Sequence, residues 1–255
     1  MFIDVAHLFG AELEARVEQA KEEVSGLVTI FSAFHVPTDS LVLDLACGIG
    51  RHSVALAERG FKVVGVDIST AYIARAKAMA KERSVSHSCD FRVGDMRQIG
   101  KVLNDYEERF SAMLNLYTSM GYYDEETDKQ ILKQLRKLAA PRGILVIDAA
   151  PRDWFIRHFQ QTTFRDLGDD LILIEESKLN LENSRIENVW RFYRQDGRDL
   201  KHLDTIETDH RIYSLHELKK QVEESGWTYQ TCYGGFNLEP FITDSRRMVL
   251  IAQKL

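Results

Sequence analysis

Leu43-Asp44-Leu45-Ala46-Cys47-Gly48-Ile49-Gly50 decides how the chain is read. Ser40 to Ala46 has the composition of a buried strand, apolar but for Ser40 and Asp44, and it runs into the glycine turn Cys47-Gly48-Ile49-Gly50. Arg51 to Arg59 follows as a helix, with Gly60 as its C-terminal stop. A strand that ends in small residues and Gly-x-Gly lets the backbone approach a ligand closely, at the N-terminus of the next helix.

The alternation continues outward from that turn. Phe61–Asp67, Asp90–Gly94, Phe110–Leu116 and Gly143–Ala149 read as further strands, and Ala71–Arg83 and Glu125–Ala140 as helices. Mostly continuous apolar strands alternating with helices predict a parallel sheet covered on both faces. Upstream, Val17, Ala20, Val24, Leu27, Val28 and Phe31 recur in steps of three and four, which predicts one amphipathic helix between Ala11 and Phe34. After Pro151 the pattern changes. Leu171–Glu176, Arg185–Arg194 and Thr205–Tyr213 are β-rich and separated by polar turns such as Gln195-Asp196-Gly197-Arg198, an antiparallel excursion. Leu215–Glu224 is helical again, and Trp227–Tyr233 and Arg247–Ala252 are closing strands.

Composition narrows the function classes. Of 255 residues, 44% are hydrophobic, ample for a core, and the net charge of −6 argues against a dedicated nucleic-acid binder, which would show a basic footprint. Cys47, Cys89 and Cys232 are few, odd in number and far apart, so they suggest neither a disulfide framework nor a zinc knuckle. No apolar run approaches the ~20 residues of a membrane span. Asp4 interrupts the apolar N-terminal stretch, which makes a poor signal peptide. A cytoplasmic protein without membrane or nucleic-acid partner is expected, with a homodimer as one admissible assembly. The eight histidines show no metal-ligand spacing, so no metal is expected.

Asp67 closes the second strand, 67 − 48 = 19 residues beyond the first glycine. That is close to the ~20-residue distance at which an acidic residue reaches ribose hydroxyls in doubly wound folds. Asp44 discriminates among adenosine cofactors. A carboxylate in an apolar strand, four residues before Gly48, suits a ligand bearing an ammonium group and sits badly beside a pyrophosphate.

Leu43–Gly50 resembles the first motif of class I S-adenosylmethionine-dependent methyltransferases. Val64-Gly65-Val66-Asp67-Ile68-Ser69 resembles their second-strand motif, and Phe91-Arg92-Val93-Gly94-Asp95-Met96-Arg97 their adenine-contacting motif. Phe110–Gly121 and Leu138–Gly143 are similar to the later strand and the proline–glycine step before the fifth strand; the match spans about Leu41 to Ala149. The C-terminal segment is more loosely similar to a small-molecule branch. The resemblance implies an α/β fold: a doubly wound, Rossmann-like, mostly parallel seven-stranded sheet with the antiparallel β-rich insertion after the fifth strand. The expected division is an N-terminal helical segment (1–36), a cofactor-binding core (37–150), a β-rich insertion serving as substrate lid (151–213), and a C-terminal helix with closing strands (214–255). S-adenosylmethionine is the implied cofactor. Asp44, Ala46, Gly48 and Gly50 would surround its methionine end, Asp67 would take both ribose hydroxyls, and Ile68 would flank the adenine. Asp95 would accept from the adenine amino group beside Met96, and Asn115 and Leu116 would face the transferable methyl. Only Asn115-Leu116-Tyr117-Thr118 follows the fourth strand, which removes support for the Asn/Asp-Pro-Pro-Tyr chemistry of base or amide nitrogens.

The implied reaction is methyl transfer to a small-molecule nucleophile, nitrogen or oxygen. Tyr117, Tyr122, His158, Tyr193 and His210 are the substrate-side candidates, with no choice of general base among them. A catalytically silent cofactor-binding protein is the second reading and an NAD-dependent oxidoreductase the third, the latter disfavoured by Asp44. Cys47 reads as a packing thiol, Trp154, Trp190 and Phe192 as core of the small sheet, and Arg246-Arg247 as a solvated pair.

Overall fold

The computed structural model describes residues 6–255, with the backbone alone for residues 6–9 and 11; the reading of Asp4 lies outside the described residues. Seven strands form the main sheet: β1 (Leu41–Leu45), β2 (Lys62–Asp67), β3 (Cys89–Val93), β4 (Phe110–Asn115), β5 (Ala139–Ala149), β10 (Thr228–Tyr233) and β11 (Met248–Gln253). Their order is β10-β11-β5-β4-β1-β2-β3, and only β11 runs against its neighbours. The chain steps from β1 outward to β3 and then returns to β4 on the other side of β1. That reversal opens a crevice at the carboxyl ends of β1 and β4, where ligands bind in open α/β sheets.

Alternation along each strand feeds two core layers. Leu43, Leu45, Val64 and Val66 point to one face, where Ile131, Leu132 and Leu135 of α6 (Glu125–Leu138) and Leu218 and Val222 of α8 (Leu215–Glu224) cover them. Val42, Val63, Ala112 and Leu114 point to the other, under Leu27, Ile30 and Phe31 of α2 (Val17–Ala33) and Leu56 of α3 (Arg51–Glu58). Asp44 alternates onto this second face. The ladder β1–β4, Asp44 opposite Leu114 and Leu45 opposite Asn115, fixes its height in the crevice.

Two expectations are corrected. The single N-terminal helix is broken at Arg16 into α1 (Ala6–Ala15) and α2, and α1 folds over the glycine turn: a Cβ on Gly48 would meet Leu13 Cδ1 at 3.4 Å. The antiparallel excursion is a four-stranded sheet, β6 (Thr162–Asp166), β7 (Leu171–Asn180), β8 (Arg185–Asp196) and β9 (Asp199–Arg211), and its first strand has no counterpart in the sequence reading. Thr162-Thr163-Phe164-Arg165-Asp166 is a polar edge strand with Phe164 exposed, so it lacks the apolar alternation that marks a strand from sequence. Tyr213 lies beyond β9, buried against α6, where its hydroxyl donates to Asp128 Oδ2 at 2.8 Å.

Asp128 gives a pH-dependent prediction. Burial raises its carboxyl pKa from 3.8 to about 6 against the opposing Tyr213 bond and Arg185 charge, and Oδ1 has no partner. The folded pKa lies above the unfolded one. The stability it confers is therefore full below the unfolded value and lost as pH rises through about 6. Asp128→Asn removes the buried charge and keeps an acceptor for Tyr213. It should raise stability by about 3 kcal/mol above pH 7 and leave it nearly unchanged at pH 4. Melting temperatures at the two pH values read the difference; an equal shift at both would contradict this account.

Candidate active site

A cavity of about 500 Å3 lies over the carboxyl ends of β1, β2 and β4. Its floor is Asp44, Leu45, Ala46, Cys47 and Gly48, and its far wall is Val66, Asp67, Ile68, Gly94 and Met96. The loop after β4 contributes Leu116, Tyr117, Ser119, Tyr122 and Tyr123. Glu12 and Leu13 of α1, with Arg165 and Trp190 of the small sheet, complete the lining.

The turn follows from backbone sterics. Ala46, Gly48 and Gly50 all take left-handed φ of 61°, 57° and 77°. Gly50 caps α3, and a Cβ there would meet Ala76 Cβ at 2.8 Å, so it serves helix packing and does not line the cavity. Asp67 holds the turn from below: Oδ2 accepts from the Gly48 amide at 2.8 Å and Oδ1 from the Ser69 amide at 2.9 Å. Ser69, not Asp67, is the side-chain cap of α4 (Thr70–Glu82), accepting from the Tyr72 amide at 3.3 Å. Burial nevertheless leaves the Asp67 carboxyl pKa raised, with the two amides acting in the opposite direction.

Asp44 is 2% exposed. Its Oδ2 accepts from Ser53 Oγ at 2.5 Å, and burial raises its pKa against the charges of His52 and Arg51. It forms no ion pair among the described residues. Cys47 is buried and its thiol is pushed well up, first by burial and then by Asp44, which makes it a packing thiol.

The loop after β4 is set in an uncommon shape. Tyr117 and Thr118 both adopt left-handed φ, 58° and 57°. Asp148 at the end of β5 holds them: Oδ2 accepts from the Tyr117 amide at 2.9 Å, and its carbonyl accepts from the Thr118 amide at 2.9 Å. Arg247 in turn clamps Asp148, with Nε to Oδ1 at 2.9 Å and Nη2 to Oδ2 at 2.5 Å, and also bonds Glu23. Glu23 Oε2 lies 2.6 Å from His52 Nε2, and His52 lines the cavity. Arg247 is therefore a half-buried part of the scaffold behind the site, contrary to its reading as a solvated residue; Arg246 lies over the Trp154 ring at 5.7 Å.

The candidate residues divide cleanly. Asp44, Ala46, Gly48, Asp67, Ile68, Met96, Leu116, Tyr117 and Tyr122 line one cavity. Asp95 caps the short turn Met96–Gln98 and pairs with Arg97, just outside it. Asn115 is buried at the end of β4 with both amide atoms unpartnered, one residue before the lining. His210 packs behind Tyr122, ring centroids 4.7 Å apart, and its Nε2 donates to the Met120 carbonyl at 2.9 Å; burial first lowers its pKa to about 4. His158 is exposed and stacked on Trp154, and Tyr193 packs on His202; neither lines the cavity. Glu12, Tyr72, Arg51, His52 and Arg165 line it without any local sequence signal. Trp190, read as sheet core, lines it too, while Phe192 fills the small sheet's core.

The chemistry fits an adenosine cofactor with a charged amino-acid tail. A buried carboxylate without an ion pair lies at the turn, a second carboxylate closes β2, and the neighbouring Tyr72 hydroxyl is buried without a partner. The described residues hold no group of three or more metal-ligating side chains. No helix is long and apolar enough to cross a membrane.

Residues 42–143 match the family model described as a methyltransferase domain. A Bacillus subtilis (strain 168) protein, YqeM, classed by name as a methyltransferase, is 26% identical over 220 residues, 86% of each chain. The dTDP-3-amino-3,6-dideoxy-alpha-D-glucopyranose N,N-dimethyltransferase of Streptomyces fradiae is 24% identical over 240 residues, 91% of this chain and 87% of that one. An S-adenosylmethionine-dependent methyltransferase structure from Clostridium acetobutylicum ATCC 824 superposes with a TM-score of 0.80 at 17% identity, covering 98% of this chain and 97% of that one. The matched segment begins in the strand that carries Asp44 and runs through the loop that carries Tyr117, so the part of the chain that is similar to a methyltransferase domain contains the cavity floor.

Proposed function

We propose that the protein methylates a nitrogen or oxygen nucleophile on a small molecule. The observation that carries this is the roof. Arg165 Nη1 of β6 bonds Glu12 Oε1 of α1 at 2.7 Å, so the N-terminal helix and the small sheet meet over the cavity. A partly covered space of about 500 Å3 has the size of a small-molecule site. The Streptomyces fradiae relative, named for dimethylating an amino sugar, supports the same class.

Bound S-adenosylmethionine supplies a methyl group on a sulfonium, with a neutral thioether as leaving group. In our assignment Asp44, Ala46 and Gly48 surround its methionine end and Asp67 accepts from the ribose hydroxyls. Ile68 and Met96 flank the adenine, with Asp95 at its amino edge, and Leu116 faces the methyl, next to the buried Asn115. The protein's part is then alignment and exclusion of water, which is worth most in a roofed cavity.

Purified protein incubated with S-adenosylmethionine and a metabolite extract should yield a product heavier by one methylene, with demethylated cofactor in equal amount. Calorimetry should detect S-adenosylmethionine and no NAD. Tighter binding of NAD, or cofactor binding without any methylated product, would sink the proposal.

A further inference from the structure

We infer that Arg51 binds the carboxylate of the cofactor's methionine tail, so that Asp44 and Arg51 together select a zwitterion; the inference rests on the methyl-transfer reading above. Arg51 opens α3, directly after the glycine turn, and is 6% exposed. Its guanidinium carries five N–H donors and stays charged. Among the described residues it forms no hydrogen bond and no ion pair. Its nitrogens are not sealed in the interior either, so the little surface left to it opens on the cavity that it lines. What it does have is a ring, with Cζ 4.8 Å from the Tyr117 centroid. A ring attracts the charge without supplying the oxygen acceptors that five N–H groups require.

The other charged groups of the lining are matched within the protein. Glu12 pairs with Arg16 and Arg165, Arg97 with Asp95, and His52 with Glu23. Asp67 accepts from two backbone amides. Asp44 and Arg51 remain, one of each sign. They lie close enough for the Arg51 charge to act on the Asp44 carboxyl, yet they form no ion pair with each other. A methionine tail carries its ammonium and its carboxylate on the same carbon. A ligand whose ammonium is taken by Asp44 therefore brings its carboxylate into this neighbourhood. Burying a cation without an anion is costly, and burial lowers the Arg51 pKa against the pull of Tyr117, Glu23 and Asp44. A carboxylate in the cavity offsets that cost, and the planar guanidinium fork matches its two oxygens. A tail that ends in the ammonium alone leaves the cost standing and adds repulsion from Arg51.

Two ligands isolate the carboxylate in calorimetric titrations: S-adenosylmethionine and its decarboxylated form, which keeps the adenosine, the sulfonium and the ammonium. No methyl acceptor is present, so only contacts to the cofactor are measured and a carboxylate on a substrate plays no part. Wild type should bind S-adenosylmethionine at least tenfold more tightly than the decarboxylated form. Arg51→Met should lower affinity for S-adenosylmethionine at least tenfold without weakening the decarboxylated form, which brings the preference below threefold. A disturbed glycine turn would weaken both ligands alike and leave the preference standing, so the ratio separates carboxylate binding from a structural role. Melting of the empty variant checks that it folds, and should Arg51→Met not fold, Arg51→Gln is read by the same ratio. A wild-type preference below tenfold, or a preference that survives in the variant, overturns the inference. A wild-type protein that binds neither ligand overturns the methyl-transfer reading instead.

Discussion

Asp67→Ala is expected to weaken S-adenosylmethionine binding about a hundredfold. The assigned ribose contacts are two hydrogen bonds to a charged acceptor, worth about 1.5–3 kcal/mol each. Their lower limit already amounts to two decades in Kd. A second loss adds to it, because the same carboxylate accepts from the Gly48 and Ser69 amides and so holds the turn. The burial that raises its pKa means that removing the side chain also removes a desolvated charge, so the empty protein should not lose stability in proportion. Calorimetric titration with the cofactor, together with thermal melting without it, separates the two effects. Unchanged affinity would reduce Asp67 to a tether for the turn.

Arg247→Met should be the most damaging single change to stability among the residues behind the site. It leaves Glu23 and Asp148, both buried, without their cation. Burial alone would raise the Glu23 carboxyl; the bonds from His52 and Arg247 outweigh it and hold the pKa down at about 2. A carboxyl with a depressed folded pKa contributes stability that is present above its unfolded value of 4.5 and lost as pH falls towards about 2. The variant should therefore be tested near neutrality, where the wild type has the whole contribution. Breaking a buried pair by removing one partner costs about 3–5 kcal/mol, and the partial exposure of Arg247 favours the lower limit. At about 2–4 °C per kcal/mol for a chain of this size, the melting temperature should fall by roughly 6–12 °C. Turnover should fall further than cofactor affinity, since Asp148 also anchors the left-handed Tyr117–Thr118 loop. A melting temperature within about 2 °C of wild type would show that the pair is not a structural one.

The parallel core was readable from sequence because its signals are local: continuous apolar strands, Gly48 and Gly50 at the turn, and Asp67 at a fixed distance along the chain. Every strand from β1 to β4 lies within about two residues of its expected bounds. The roof was not readable. Glu12 and Arg165 stand 153 positions apart, and neither belongs to a pattern that periodicity detects. Trp190 illustrates the same limit: on a strand of mixed burial, sequence does not say which face an aromatic takes. His158 and Tyr193 were reasonable candidates by residue type, and the turn of α7 (Arg152–Arg157) and the pairing of β8 with β9 direct them elsewhere.

The bond between Arg247 and Glu23 spans 224 residues of sequence. Synthesis proceeds from the N-terminus, and local contacts form ahead of such distant ones. A polypeptide still emerging from the ribosome can assemble the glycine turn and its strands long before β11 is made. The brace that holds Asp148, and with it the loop after β4, arrives only with Arg247. A nascent chain stalled before Arg247 thus lacks this brace even where its binding crevice has folded.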